Sequence, residues 1–221
     1  MSKPIIVHTH GGPNPWKVVI VLEELGVPYE CRLVADVKGD AYTKINPNGR
    51  APAIEDPNTG ITLWESGAIL EYLADTYDKD HKISYSSGPE KYHTKQYLHF
   101  QMSGQGPYFG QTTWFRHFHP EKLESARKRY DEQLVRVVGV LDNILAGKQY
   151  LVGDKPTYAD FAFVPWDNAI PWIFGEEAAK LVPEDKYPNF YAWHKRLVAR
   201  PSVQAAIVEQ GKAREQAQKK K

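Results

Sequence analysis

A single cysteine, Cys31, stands among 221 residues. No intramolecular disulfide can form, and no zinc site of paired cysteines can exist. A redox turn built on a protein thiol needs its cysteine in the turn, and Cys31 falls on a predicted strand instead. An excess of charge of one sign is also missing: Lys+Arg number 28 and Asp+Glu 27, a formal net of +1. That balance argues against a dedicated nucleic-acid or acidic-membrane partner. No apolar run approaches membrane-spanning length. The opening "MSKPIIVHTHGG" has none long enough for a signal peptide, so a cytoplasmic, reducing setting is expected. Neither phosphate-cradling motif, G-x-x-x-x-G-K-[ST] or G-x-G-x-x-G, occurs at the first strand-to-helix turn. His8 and His10 share one strand face, but an isolated His-x-His reads as structural, and no metal is expected. There is no internal repeat.

What is present is a core-forming composition. Hydrophobic residues make up 42%, with six Trp and thirteen Tyr, which excludes global disorder. The first part of the chain alternates in type. "PIIVH" reads as a strand. "WKVVIVLEELG" reads as a helix, with Val18, Val21, Leu22 and Leu25 at helical spacing and Gly26 as the stop. "PYECRLV" is a second strand and "DAYTKI" a short helix. "APAIED" and "ITLW" flank a "DPNTG" turn as a hairpin, and "SGAILEYLADTY" is a helix. The order is βαβαββα, with a parallel opening unit and an antiparallel hairpin.

Residues 1–78 therefore form an α/β domain. Residues 79–89 are polar and turn-rich and read as a linker. Residues 90–221 read as an all-helical domain. Residues 90–116 are largely helical. Residues 121–146 carry one apolar stripe of Tyr130, Leu134, Val137, Val138, Leu141 and Leu145. Thr157 and Asp160 have the spacing of a capping box ahead of the next helix. Pro201 splits two further short helices, and the tail "KAREQAQKKK" is expected to fray.

Three short motifs bear on chemistry. In "HTHGGPNPWK", Asn14 before Pro15 has the pattern of an N-cap followed by proline at the first helical position. A capping Asn uses its oxygen on the backbone N–H of Trp16 or Lys17 and still has an NH₂ group to donate. That donor sits at the positive end of a helix dipole, where an anion is favoured. In "NPNGRAPAI", Pro52 is either an edge-strand proline or a cis-proline that turns the backbone of Ala51 toward an extended peptide. In "WESGAIL", Ser66 reads as an N-cap. The same residue would suit an α-carboxylate, with Glu65 placed for an α-ammonium.

In this order and spacing the three motifs resemble the glutathione S-transferase superfamily, over nearly the whole chain. The likeness includes "YLVGDKPTYADFAFVPW". The stretches "PNPWKVVIVLEELGVPYE" and "SGQGPYFGQTTWFRHFHPEKL" are most similar to the nu class and to the fungal nitrogen-regulator-like, prion-protein-like branch. The resemblance implies a thioredoxin-like N-terminal domain, an all-α C-terminal domain, a homodimer, and glutathione as co-substrate. It places Asn14 at the sulfur, Ala51 and cis-Pro52 at the cysteinyl backbone, and Glu65 and Ser66 at the γ-glutamyl end. Lys38 falls at a position used for the glycine carboxylate, with Arg50 beside the site. The Tyr, Ser or Cys common in the superfamily is missing, since no tyrosine precedes Tyr29. Nu-class members carry Thr where Gly12 stands, and Thr9 is the hydroxyl that would replace it.

These assignments imply an enzyme that activates the thiol of glutathione for attack on an electrophilic small molecule. The electrophile is expected in a cleft between the domains, against Tyr108, Phe109, Trp114 and Phe115. A disulfide reductase or peroxidase using two glutathione molecules is the second expectation. A non-catalytic binding or regulatory protein is the third.

Overall fold

The computed structural model describes residues 2–219. The chain divides into two compact units. Among the described residues, one unit joins residues 2–84 to residues 198–219, and the other runs Tyr85–Leu197.

The first unit is built on four strands: β1 (Ile5–Thr9), β2 (Tyr29–Leu33), β3 (Ala53–Asp56) and β4 (Ile61–Trp64), in the order β2-β1-β3-β4. Its helices are α1 (Asn14–Leu25), α2 (Asp40–Thr43) and α3 (Ser66–Tyr77), so the βαβαββα order is observed. β2 runs parallel to β1 because α1 supplies the crossover, while β3 and β4 are antiparallel. Every residue of α1 from Pro15 to Leu22 is buried. A helix covered on all sides needs partners on all sides. Here they are β1, α3 and a C-terminal helix, α11 (Pro201–Lys219).

α11 departs from the expectation of a short helix with a frayed tail. It continues to Lys219, and the last two residues of the tail lie outside the described residues. Val203, Ala206, Gln210 and Ala213 are buried at helical spacing, and that stripe packs along α1. Arg200 adds a two-pronged ion pair to Glu24, at 2.6 and 2.7 Å. Residues 198–219 thus belong with the first unit and not with the helical one. The turn-rich segment after α3 is also organised. The Asp78 carboxylate is buried and accepts from the backbone N–H of Lys82 and Ile83 and from the Ser84 hydroxyl.

The second unit is helical throughout. Helix α4 (Gly88–Phe100) runs through a π-helical turn into α5 (Gly106–Thr113) and a second π turn, Trp114–Phe118. Then follow α6 (Glu124–Ile144), α7 (Tyr158–Asp167), α8 (Ile170–Phe174), α9 (Ala178–Leu181) and α10 (Pro188–Val198). The α6 stripe is buried from Leu134 to Leu141 as expected. The capping box at Thr157 and Asp160 is formed in both directions. Asp160 also accepts from Leu151 N–H at 3.0 Å and from the Trp193 indole at 2.9 Å. Burial pushes this carboxyl above the usual carboxylate range, and the four donors pull it back. Among the described residues no helix is long and apolar enough to cross a membrane.

Candidate functional site

Strand register collects the three motifs at one end of the sheet. His8 on β1 faces Ala53 on β3, and Ala53 faces Trp64 on β4. Both pairings are antiparallel, so the chain leaving β1, the chain entering β3 and the chain leaving β4 meet at the same end. The parallel partner β2 ends there too, with Leu33 opposite Thr9. The turn carrying Asn14, the segment Arg50–Pro52, and Glu65 with Ser66 all follow from this register. So does Lys38, on the loop after β2.

The opening turn corrects one expectation. α1 begins at Asn14, and the cap position is Pro13, with helical backbone angles and no side-chain cap. The N–H of Trp16, one of the two donors expected at the Asn14 oxygen, is bonded to Pro13 O at 3.1 Å. Pro15, at the second helical position, removes one of the donors that a cap would serve. Asn14 is therefore a first-turn residue and not the cap, half-buried at the helix start. The turn is held from α11: Gln210 and Arg214 both donate to Gly11 O, at 3.2 and 3.0 Å.

Gly12 also has a physical reason. Its N–H donates to His10 Nδ1 at 2.7 Å, and a Cβ at position 12 would lie 2.4 Å from His10 Cε1. The imidazole fills the place that a side chain at position 12 would need. Thr9, the proposed substitute hydroxyl, is buried within β1. Burial and the positive charge of Arg50 hold His10 below its ordinary range. His8, the other member of the pair, is paired with Glu55 at 2.7 Å. Among the described residues no three His, Cys, Asp or Glu side chains cluster as metal ligands.

At the second motif the Ala51–Pro52 bond is cis. The preceding loop is stitched by Asn46 and Tyr42, both donating to Arg50 O, at 2.5 and 2.9 Å. Lys38 Nζ donates to Asn48 O at 3.0 Å, which brings it to the same loop. Gly49 is required between them. Its φ is +61°, and a Cβ would lie 2.9 Å from Lys38 Nζ. Lys38 and Arg50 are exposed cations on this rim.

The third motif brings a second correction. Ser66 is the first residue of α3, and Glu65 holds the cap position at φ 70°. The sharp exit from β4 puts the unusual backbone on Glu65, leaving its carboxylate exposed, while Ser66 is buried. The Ser66 hydroxyl accepts from Lys17 Nζ at 3.3 Å. Lys17 is 1% exposed. Burial pushes this ammonium down to about 7, and Glu65 is the charge that opposes the fall. Sequence reasoning passed over Lys17. The signal was available, since Lys17 lies one helical turn before Val21 on the apolar stripe.

Of the rings assigned to a second substrate, Phe109 is fully buried and sits edge-on to Trp166, a core position. Tyr108 is half-buried with Arg136 near its face, and Trp114 is exposed beside Phe118. Phe115 is stacked on Tyr130. Burial pushes the Cys31 thiol up to about 12, helped by Glu209 and Glu23. It remains protonated near neutrality and is a poor nucleophile.

Comparison with known proteins identifies the family. The family model described as "Glutathione S-transferase, N-terminal domain" matches residues 11–76, and "Glutathione S-transferase, C-terminal domain" matches residues 107–201. Glutathione S-transferase 2 of Schizosaccharomyces pombe is 48% identical, over 93% of this chain and 95% of its own length. The glutathione transferase URE2P6 of Phanerochaete chrysosporium, solved with oxidized glutathione, is 44% identical. It superposes with a TM-score of 0.88, covering 96% of this chain and 98% of that one. Ure2p5 of the same fungus, cocrystallized with 1-(S-glutathionyl)-2,4-dinitrobenzene, is 38% identical with a TM-score of 0.85, over 96% and 97%. The fold, the sequence match across both halves and the fungal Ure2-like neighbours agree: this chain belongs to the glutathione S-transferase family.

Proposed function

We propose that the chain binds glutathione at the end of its sheet and activates the thiol for attack on an electrophilic small molecule. One observation carries this reading. Three segments far apart in sequence, the start of α1, the cis Ala51–Pro52 bond and the Glu65–Ser66 corner, converge at one sheet end. Their chemistry matches the parts of glutathione. Ser66 and the start of α3 suit the γ-glutamyl α-carboxylate, and Glu65 suits its ammonium. The Ala51 backbone suits the cysteinyl backbone, and Lys38 with Arg50 suits the glycine carboxylate. Asn14, at the positive end of α1, is the donor for the sulfur.

A free thiol titrates near about 8.5, so little is thiolate at neutral pH. Lowering that by about two pH units requires ~2.7 kcal/mol of preferential binding to the thiolate. A charge-assisted hydrogen bond and a helix N-terminus together supply that order of energy. The thiol proton leaves to water, the sulfur bonds the electrophilic carbon, and the leaving group departs with its electron pair. The protein offers no thiolate of its own at Cys31, so the nucleophile arrives with the ligand. Tyr108 and Trp114 keep accessible ring surface for an apolar second substrate, and Phe109, enclosed in the helical core, is left out of that role.

A second reading, reduction of disulfides or peroxides by glutathione, is favoured by the relative solved with oxidized glutathione. With no reactive protein cysteine, the exchange would run between two glutathione molecules. Calorimetric titration with glutathione tests the site, and Glu65→Ala and Ser66→Ala should each weaken binding. Turnover of 1-chloro-2,4-dinitrobenzene against a glutathione mixed disulfide separates the two chemistries. Absence of glutathione binding by the intact protein overturns both.

A further inference from the structure

Lys17 is a buried cation with no role in the assignments above. It sits on α1 among Val18, Val21 and Leu22, each fully buried, where an apolar side chain would pack without desolvating a charge. Its ammonium reaches Ser66 at 3.3 Å. An ammonium can only donate, so at this contact the Ser66 oxygen is the acceptor, and the hydroxyl proton is directed away from Lys17. A hydroxyl polarised in this way is a better donor to a carboxylate on its other side.

The geometry points to Lys17 as a positioning residue of the glutathione site: from the buried side it orients the Ser66 hydroxyl and offsets the charge of the γ-glutamyl α-carboxylate. The inference rests on the glutathione reading of the Glu65–Ser66 corner. Charge bookkeeping supports it. Without ligand, Lys17 faces Ser66 from α3 and the field of Glu65 from the corner before α3, and it is held near about 7. The γ-glutamyl group brings an ammonium, which occupies Glu65, and a carboxylate, which then faces Lys17. A buried lysine with a displaced titration, next to a ligand corner, is the pattern of a functional group rather than a packing one.

The test compares two ligands on the intact protein. S-methylglutathione carries the α-carboxylate. S-methyl-4-aminobutyryl-cysteinylglycine lacks it and is otherwise the same. Lys17→Met keeps the length of the side chain and removes the charge, and Lys17→Gln is a second, polar variant. Calorimetry should show that either variant binds S-methylglutathione at least about tenfold more weakly than the unaltered protein. The analogue lacking the carboxylate should bind variant and unaltered protein within about twofold. An equal loss for both ligands would mean a structural role, and no loss for S-methylglutathione would mean no role; either result overturns the inference. If the unaltered protein binds S-methylglutathione and the variants bind it equally, only this inference falls. If the unaltered protein binds neither ligand, the glutathione reading falls and takes this inference with it.

Discussion

Replacing Lys17 by methionine should change how stability depends on pH, independently of any ligand. In the folded chain the Lys17 ammonium is pushed from 10.5 down to about 7 by burial. The unfolded chain holds that proton up to about 10.4. Between those values the unfolded state binds one proton more than the folded state, so the stability of the folded state rises with pH. The maximum slope is ~1.4 kcal/mol per pH unit, or about 5 kcal/mol across the whole window. Below about pH 7 both states are charged, and the folded state carries the full cost of the desolvated ammonium. Lys17→Met has no such group. Urea denaturation of both proteins at several values from about pH 6 to pH 9 isolates the effect, because every other titrating group cancels in the difference. That difference should move in favour of the lysine protein by about 2 kcal/mol between about pH 7 and pH 9. Lys17→Met should be the more stable protein at the acid end. Parallel curves, with a difference constant to within about 0.5 kcal/mol, would show that Lys17 is not desolvated and refute the reasoning.

Three further outcomes are expected. Asn14→Ala should lower kcat/KM with an aryl halide by about 10- to 100-fold, the loss of one charge-assisted hydrogen bond. The ultraviolet thiolate signal of bound glutathione should shift to higher pH while the melting temperature stays put; unchanged kinetics would remove Asn14 from the sulfur. Gly12→Thr should destabilise by about 1–3 kcal/mol because its Cβ meets His10 at 2.4 Å. Adding His10→Ala should restore the melting temperature, and failure of that rescue would locate the clash elsewhere. Asp160→Ala strands four donors, from Leu151, Thr157 twice and Trp193. A loss of about 3 kcal/mol or more is expected, roughly 6–12 °C in melting temperature, and a fall below 2 °C would contradict it.

Much of this protein was legible in local sequence. The alternation of strand and helix in the first eighty residues appears as read, because each element is short and marked by its own period and its own stop signal. Gly26 ends α1 with φ 65°, as a glycine after the last periodic residue implies. Thr157 and Asp160 form their capping box because its parts lie within one turn. The single cysteine and the balance of charges needed no structure at all.

What tertiary structure decided lies in contacts between distant segments. Which residue caps a helix depends on how the chain arrives. Pro13 and Glu65 took positions that Asn14 and Ser66 had by local preference, because β1 and β4 deliver the chain at angles that no local pattern records. Whether the Ala51–Pro52 bond is cis is likewise absent from the residue types, since both isomers are close in energy in an X-Pro unit. The C-terminal helix joined the first unit because its stripe matches α1, a pairing across more than 170 residues. Lys17 shows the same division most sharply. The sequence placed a lysine on an apolar face, and only the meeting of α1 with α3 turned that misfit into a buried cation beside Ser66. Periodicity and caps are short-range effects that sequence records directly. A buried charge acquires its meaning from the segment folded against it.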